Sequence, residues 1–291
     1  MAQLFGVCVL ALSAAACSDD PRIPDGNHYP GLVVIDDMED GQQNILSDSG
    51  RVGIWYIYSD ETDGSTQEPA IGFPMWQNGL EPVPPRPCGP AAAPLTGARQ
   101  YFNSETSCKY VARTWGTGQI GFGAGVGIDL NGEGGVKNPI NASAFRGIGF
   151  FIRGSARNNT VRMNVQDIQT TPESAAAARR RGVAACGELA PLCDDPANAA
   201  NPACTVAPVT CNAHYGIDIT DLSANWAWKE FTFEQLAQAF GGNGSPIRRD
   251  AIVGIQFQVL GADGDANPTM GMLSPIIPFD FAIDNLSFLL P

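Results

Sequence analysis

The chain has 291 residues, 30 acidic against 17 basic, for a formal charge of −13; it is 44% hydrophobic but only 16% charged. That charge excludes a nucleic-acid ligand, whose phosphates would be repelled, and excludes charge-driven docking on an anionic membrane surface; the apolar fraction excludes a disordered chain. With 33 Gly and 22 Pro, the composition suits an all-β protein rich in turns.

Residues 1–17 read as a signal peptide. Leu4–Ala16 is apolar but too short to span a bilayer, and Ala14, Ala15 and Ala16 precede Cys17. The pattern resembles a bacterial export signal ending at a lipoprotein cysteine, which would make Cys17 a lipid anchor and the only membrane attachment. It departs from that pattern in having no Lys or Arg ahead of the apolar run and Ala14 where Leu is commonest. A plain signal peptide cut near the same place is the alternative. Either way the chain is expected outside the cytoplasm, in the cell envelope or secreted. Residues 18–30, polar and Pro-rich, read as a flexible tether.

From Leu32 onward, short apolar runs alternate with turn residues. They predict strands near 31–38, 52–58, 108–115, 120–130, 146–154, 160–168, 215–220, 227–233, 251–260 and 279–288. Two insertions interrupt them. One, about 60–100, contains "EPVPPRPCGPAAAP", whose prolines bar a central strand. The other, about 170–213, opens "TPESAAAARRRG", which predicts a short helix with Pro172 at its start and Gly182 at its end. A further short helix is predicted over Glu234–Phe240. Ten strands with short connecting helices make a two-sheet antiparallel β-sandwich over residues 31–291, a single domain.

Six cysteines lie beyond the leader: Cys88, Cys108, Cys186, Cys193, Cys204 and Cys211. An even number in an exported chain suggests disulfides of unknown pairing. None is spaced CxxC, and His28 and His214 are the only histidines, so a zinc site is not expected.

Strand side chains alternate between faces. Val161, Met163 and Val165 then share a core face, as do Ile255, Phe257 and Val259; Tyr215, Ile217 and Ile219; and Ile148, Phe150 and Ile152. The opposite faces carry Arg162, Asn164 and Gln166; Gln256 and Gln258; His214 and Asp218; and Phe151 and Arg153. Such groups both donate and accept hydrogen bonds, as sugar hydroxyls require. An aromatic platform could come from Phe151, Trp55, Tyr56 or Tyr58. A solvated outer sheet face is the alternative reading of this pattern.

"GTGQIG" (116–121) matches a dinucleotide fingerprint, but "FGAGVGIDLN" follows instead of a helix. Glycine at every second position there predicts a strand with one bare face beneath a close neighbour. No GxSxG occurs, and Asp167, Asp218 and Glu230 are scattered, so no catalytic group is assigned. A glycoside hydrolase or lyase would need a carboxylate pair, or an acid beside His214.

"VVIDDMEDG", "GIWYIYSDETDG", "RGIGFFIRG", "VRMNVQD" and "FDFAIDNLSF" occur in an order that resembles non-catalytic carbohydrate-binding modules of the galactose-binding-like jelly-roll type, as found in exported bacterial lipoproteins. The resemblance covers about 31–291. It implies polysaccharide binding without chemistry, and a structural calcium held by Glu39 and Asp284; the rest of the acidic cluster, Asp36 and Asp40, is then expected in solvent, and a solvated acidic turn without a metal is the alternative reading. Met38 stands where the family has Phe. The alternative functions are a protein-binding or adhesion surface and an enzyme on the same fold.

Overall fold

The computed structural model describes residues 28–29, 31–38, 43–47, 50–68, 111–133, 136–187, 210–238, 242, 244–261 and 278–291. The expectations on Cys17, Glu39, Asp40, Cys88, Cys108, Cys193 and Cys204 fall outside them. In chain order the strands are β1 (His28–Tyr29), β2 (Leu32–Asp36), β3 (Trp55–Ser59), β4 (Thr66–Glu68), β5 (Ala112–Thr117), β6 (Ala124–Asp129), β7 (Gly132–Glu133), β8 (Val136–Lys137), β9 (Gly147–Ser155), β10 (Val161–Asp167), β11 (Tyr215–Ile219), β12 (Ala227–Thr232), β13 (Ala237–Gln238), β14 (Ile252–Val259) and β15 (Pro278–Leu289).

They form a two-sheet antiparallel sandwich of jelly-roll type. The first sheet is organised by β15, which pairs with β5 through its first half, with β2 through its second half, and with β9 along its other edge. β1, β4 and β12 extend it outward. The second sheet runs β13-β11-β10-β14-β6-β3, and β7 and β8 make a separate hairpin. All ten expected strands are present. β1 begins three residues ahead of the expected domain start, and β4 lies in the first insertion.

The alternation read from the sequence sorts the two faces as expected. Val161, Met163 and Val165, Ile255 and Phe257, and Ile148, Phe150 and Ile152 share one buried core between the sheets. Phe150 of one sheet meets Phe257 of the other edge-on, with ring centroids 4.8 Å apart. Trp55 and Ile57 face inward and Tyr56 and Tyr58 outward, which settles the parity of the aromatic cluster.

Two expectations need correction. Glu234–Phe240 is not a helix over its described part. Thr232 and Gln235 close a capping box around a single 3-10 turn, Phe233–Gln235, and Leu236 is already extended (φ −81°, ψ 137°). Leu236 packs on the core, and β13 pairs with Tyr215 and Gly216. The other predicted helix forms, as a 3-10 turn at Pro172–Ser174 and α1 at Ala175–Arg180, followed by Gly182 at φ +66°.

Asp36, expected in solvent, is fully buried. Its Oδ2 accepts a hydrogen bond from Trp55 Nε1 at 2.5 Å, and its Oδ1 accepts from the backbone N–H of Met38, which takes φ +60°. β2 and β3 belong to opposite sheets, so the Asp36–Trp55 bond crosses the core and fixes how they stack. A buried carboxylate keeps its charge at tolerable cost only when donors surround it. Trp55→Phe removes one of them and should lower stability by about 1–3 kcal/mol. Urea denaturation checks this, with an unchanged m-value showing that the fold is retained.

Candidate functional site

The outer face of the second sheet holds a groove of about 700 Å³, within the size range of ligand clefts. Its shape begins with glycine. Val126 and Ile128 of β6 point into the core, so Gly125 and Gly127 occupy the outer face. A Cβ on Gly127 would lie 2.5 Å from Tyr56 Cζ, and one on Gly125 would lie 2.8 Å from the Tyr58 hydroxyl. The two rings of β3 therefore lie across bare backbone and reach toward β14. This is the close neighbour expected from the glycine alternation.

The same device recurs deeper in the sheet. A Cβ on Gly254 would meet Gln166 Oε1 at 2.6 Å, and one on Gly216 would meet Asn164 Oδ1 at 2.3 Å. The amides settle into the space that the glycines leave. Asn164 and Gln166 are only 4% and 3% exposed, so this face is not the solvated surface of an ordinary sandwich.

Buried amides need partners, and these supply one another. Arg162 Nε donates to Asn164 Oδ1, Asn164 Nδ2 donates to Gln258 Oε1, and Gln258 Nε2 donates to the carbonyl of Phe122. Gln256 Nε2 donates to the Tyr56 hydroxyl at 3.0 Å. That hydroxyl also accepts from Lys137 Nζ at 3.2 Å and donates to Gln166 Oε1 at 3.4 Å, which saturates it. The Tyr58 hydroxyl is buried with no hydrogen-bond partner among the described residues.

Lys137 can only donate, so it fixes the Gln166 amide with Oε1 toward itself (3.4 Å) and Nε2 toward His214. Gln166 Nε2 lies 3.1 Å from His214 Nε2, and His214 Nδ1 lies 2.9 Å from Thr170 Oγ1. His214 is thus neutral, with its proton on Nδ1. Burial, and then the charge of Lys137, push its pKa down to about 3. Lys137 pairs with Asp129 at 3.0 Å and sits over the Tyr56 ring at 4.6 Å from its centroid. Burial raises the Asp129 pKa against the pull of Lys137. Burial also raises both tyrosine pKa values well above the ordinary phenol value, so the hydroxyls stay protonated.

The groove wall beyond His214 comes from Cys211 and Asn212, the latter at φ +64°. A disulfide joins Cys211 to Cys186. It ties the approach to β11 to the segment that follows α1. Glu173 lines the same side.

Of the residues expected to bind ligand, the groove brings together Asn164, Gln166, Gln256, Gln258 and Tyr58. Arg162 and Asp218 share this face, but they are tied in an ion pair of 2.8 Å beyond the groove lining. Trp55 is in the core, on the other face of β3 from Tyr56 and Tyr58. Phe151 and Arg153 belong to β9, in the first sheet. Alternation shows which residues share a face of one strand but not which sheet the strand joins, and that is why these two were grouped with the others. Phe151 is buried against Trp228, with centroids 4.9 Å apart. Lys137, Phe122 and Glu173 had no pattern to reveal them, since they come from a two-residue strand, a connection and a 3-10 turn, each too short to show alternation. The alternation did place His214 on this face.

For the calcium expectation, the described residues contain Asp284, which is 1% exposed. Its neighbour Asn285 sits in a bulge of β15 at φ +52°, with both amide atoms buried and unpartnered. Among the described residues no group of three His, Cys, Asp or Glu is placed to hold a metal. A carboxylate and an amide oxygen suit calcium, which takes oxygen ligands.

No family model and no curated protein matches the chain. Two similar solved structures are family 11 carbohydrate-binding modules from Clostridium thermocellum. One, of the cellulosomal cellulase Lic26A-Cel5E, has TM-score 0.44 and 15% identity, covering 91% of this chain and 97% of that one. The other, in complex with a β-1,3-1,4-mixed-linked tetrasaccharide, has TM-score 0.39 and 15% identity, covering 81% and 88%.

A base with a pKa lowered by folding stabilises the folded state fully above its unfolded pKa, and that contribution fades as pH falls. For His214 the window runs from about 6.5 down to about 3. Stability should fall by roughly 1 kcal/mol per pH unit across it. Asp129 and Asp167, whose pKa values are raised by burial, act in the opposite sense. The difference between wild type and His214→Gln isolates the histidine: urea midpoints from pH 7 to 4 should decline more steeply in wild type.

Proposed function

We propose that the groove binds a segment of polysaccharide and leaves it chemically unchanged. The observation that carries this reading is the fixed amide layer under two tyrosines, with the Tyr58 hydroxyl left without a partner. A sugar hydroxyl can donate and accept at once, as can the phenol of Tyr58, and Gln256 keeps its Oε1 outside the bonds made among the described residues; Asn164 and Gln258, bonded at both amide ends, hold the layer in place. Phe122, 56% exposed, stacks with Tyr58 at 6.4 Å and offers an apolar surface to a sugar ring. Because the network holds these groups in place, little ordering is left to be lost on binding.

The titratable groups favour binding over catalysis. His214 is hydrogen-bonded to an amide and a hydroxyl, with no carboxylate among its partners, and stays neutral down to about pH 3. Tyr56 is held protonated, so neither it nor His214 is matched to proton transfer near neutral pH. Gln166, with both amide ends committed to the network, acts as support for Tyr56 and Lys137.

Affinity gel electrophoresis over a panel of soluble polysaccharides tests the reading, followed by calorimetry on any that retard the protein. Retention is expected on at least one. Tyr58→Phe should weaken binding by about 3- to 10-fold, the worth of one hydrogen bond, and Phe122→Ala should weaken it further, both with an unchanged melting temperature. Migration of the folded protein unaffected by every polysaccharide would overturn the proposal.

The same reading includes a structural calcium, with Asp284 and Glu39 as carboxylate ligands and Asn285 Oδ1 as an added donor. The ion would supply charge compensation where β2 and β15 meet. Chelation should lower the melting temperature by several degrees, and added calcium should restore it. Asp284→Asn should abolish the calcium-dependent increment. A melting temperature indifferent to chelator would remove the ion.

A further inference from the structure

The structure assigns a second ligand site to the outer face of the first sheet, a pocket that takes a small carboxylate between the guanidinium groups of Arg153 and Arg113. The site is separate from the groove and does not depend on the proposal made for it. It lies on the opposite side of the sandwich, and its walls come from three adjacent strands.

Register builds the pocket. Arg153 of β9 pairs with Ala282 of β15, and Ala282 pairs with Arg113 of β5. Side chains in one row across a sheet share a face, so two guanidinium groups flank a single methyl. Ala282 is buried and forms the floor, and a cavity of about 350 Å³ opens above it, lined also by Ser155, Ala224 and Asp280. A larger residue at 282 would fill this space.

The two arginines are held differently. Arg113 is fixed by a bidentate pair with Asp280, at 2.8 and 2.6 Å, and lies over Trp115 at 4.8 Å. Arg153 is held by stacking alone, 5.0 Å from the Trp226 ring. Its guanidinium makes no ion pair or hydrogen bond with any described residue. That is unusual company for a half-buried cation in a chain of 30 carboxylates and 17 basic residues. Stacking on an indole leaves the donor edge of the guanidinium open.

Charge and shape select the ligand class. Among the described lining residues, Arg153 and Arg113 against Asp280 sum to one net positive charge, which a monoanion neutralises. A carboxylate is planar and matches the guanidinium fork. The methyl floor and the indole flank accept an apolar or ring-bearing remainder.

The test is an NMR titration of the intact protein, reading the arginine Nε–Hε resonances and the amides of Ala282 and Ala224. The probes are acetate and glucuronate, against chloride at equal ionic strength and neutral glucose. Saturable shifts at Arg153 are expected with both carboxylates and with neither control. Arg153→Gln should lose the saturable response while keeping a dispersed spectrum. Arg153→Lys, which keeps the charge but loses the fork, should weaken binding about tenfold. Absence of a saturable shift at Arg153, or unchanged affinity in Arg153→Gln, would overturn the site. Tighter saturation by sulfate than by either carboxylate would overturn the ligand class.

Discussion

The groove exists because two tyrosine rings rest on backbone. Had β6 carried side chains at 125 and 127, Tyr56 and Tyr58 would stand away from the sheet, since a Cβ at either position would fall within 3 Å of them. Lying flat, the rings reach over β6, and the Tyr56 hydroxyl meets the amides of Gln256 on β14 and Gln166 on β10. A bare strand weakens local β preference, because glycine adds backbone entropy and no packing. Here that loss is offset by aromatic cover and by the paired edges of β3 and β14, which hold β6 on both sides.

The two outer faces of the sandwich solve opposite problems. The face of the second sheet buries polar groups and satisfies them among themselves; the face of the first sheet buries aromatics. Leu32, Phe151, Trp228 and Leu289 make a satellite core there, and Trp226 and Trp115 carry the stacked arginines. Lys137, which does enter the groove, arrives with its own counter-ion, Asp129.

Much of this was legible in alternating side chains. Parity placed Asn164, Gln166, Gln256, Gln258 and His214 on one face, and they share it because β10 lies between β11 and β14. Parity could not say that β9 joins the other sheet, because sheet membership depends on long-range pairing with β15, far away in sequence. Asp36 was misread for a related reason. A run of acids looks wet in one dimension, and nothing local shows that Trp55 will bring its indole N–H to the first of them. The residues missed outright, Lys137, Phe122 and Glu173, sit on a two-residue strand, a connection and a 3-10 turn, each too short for a periodicity to be read.

One proton sets the direction of the central hydrogen-bond chain. With that proton on His214 Nδ1 and given to Thr170, Nε2 must accept from Gln166, and the Gln166 carbonyl must face Lys137 and Tyr56. Lys137 enforces the same direction from the other end, since an ammonium cannot accept. The two ends agree, so no alternative orientation competes, and Tyr56 has no capacity left. Capacity remains at the margin, where the Tyr58 hydroxyl stands unpartnered beside the exposed ring of Phe122. The groove thus has a closed network at its centre and, at that end, a covered hydroxyl with no partner among the described residues. On the proposed reading, recognition begins where the protein's own hydrogen bonds run out.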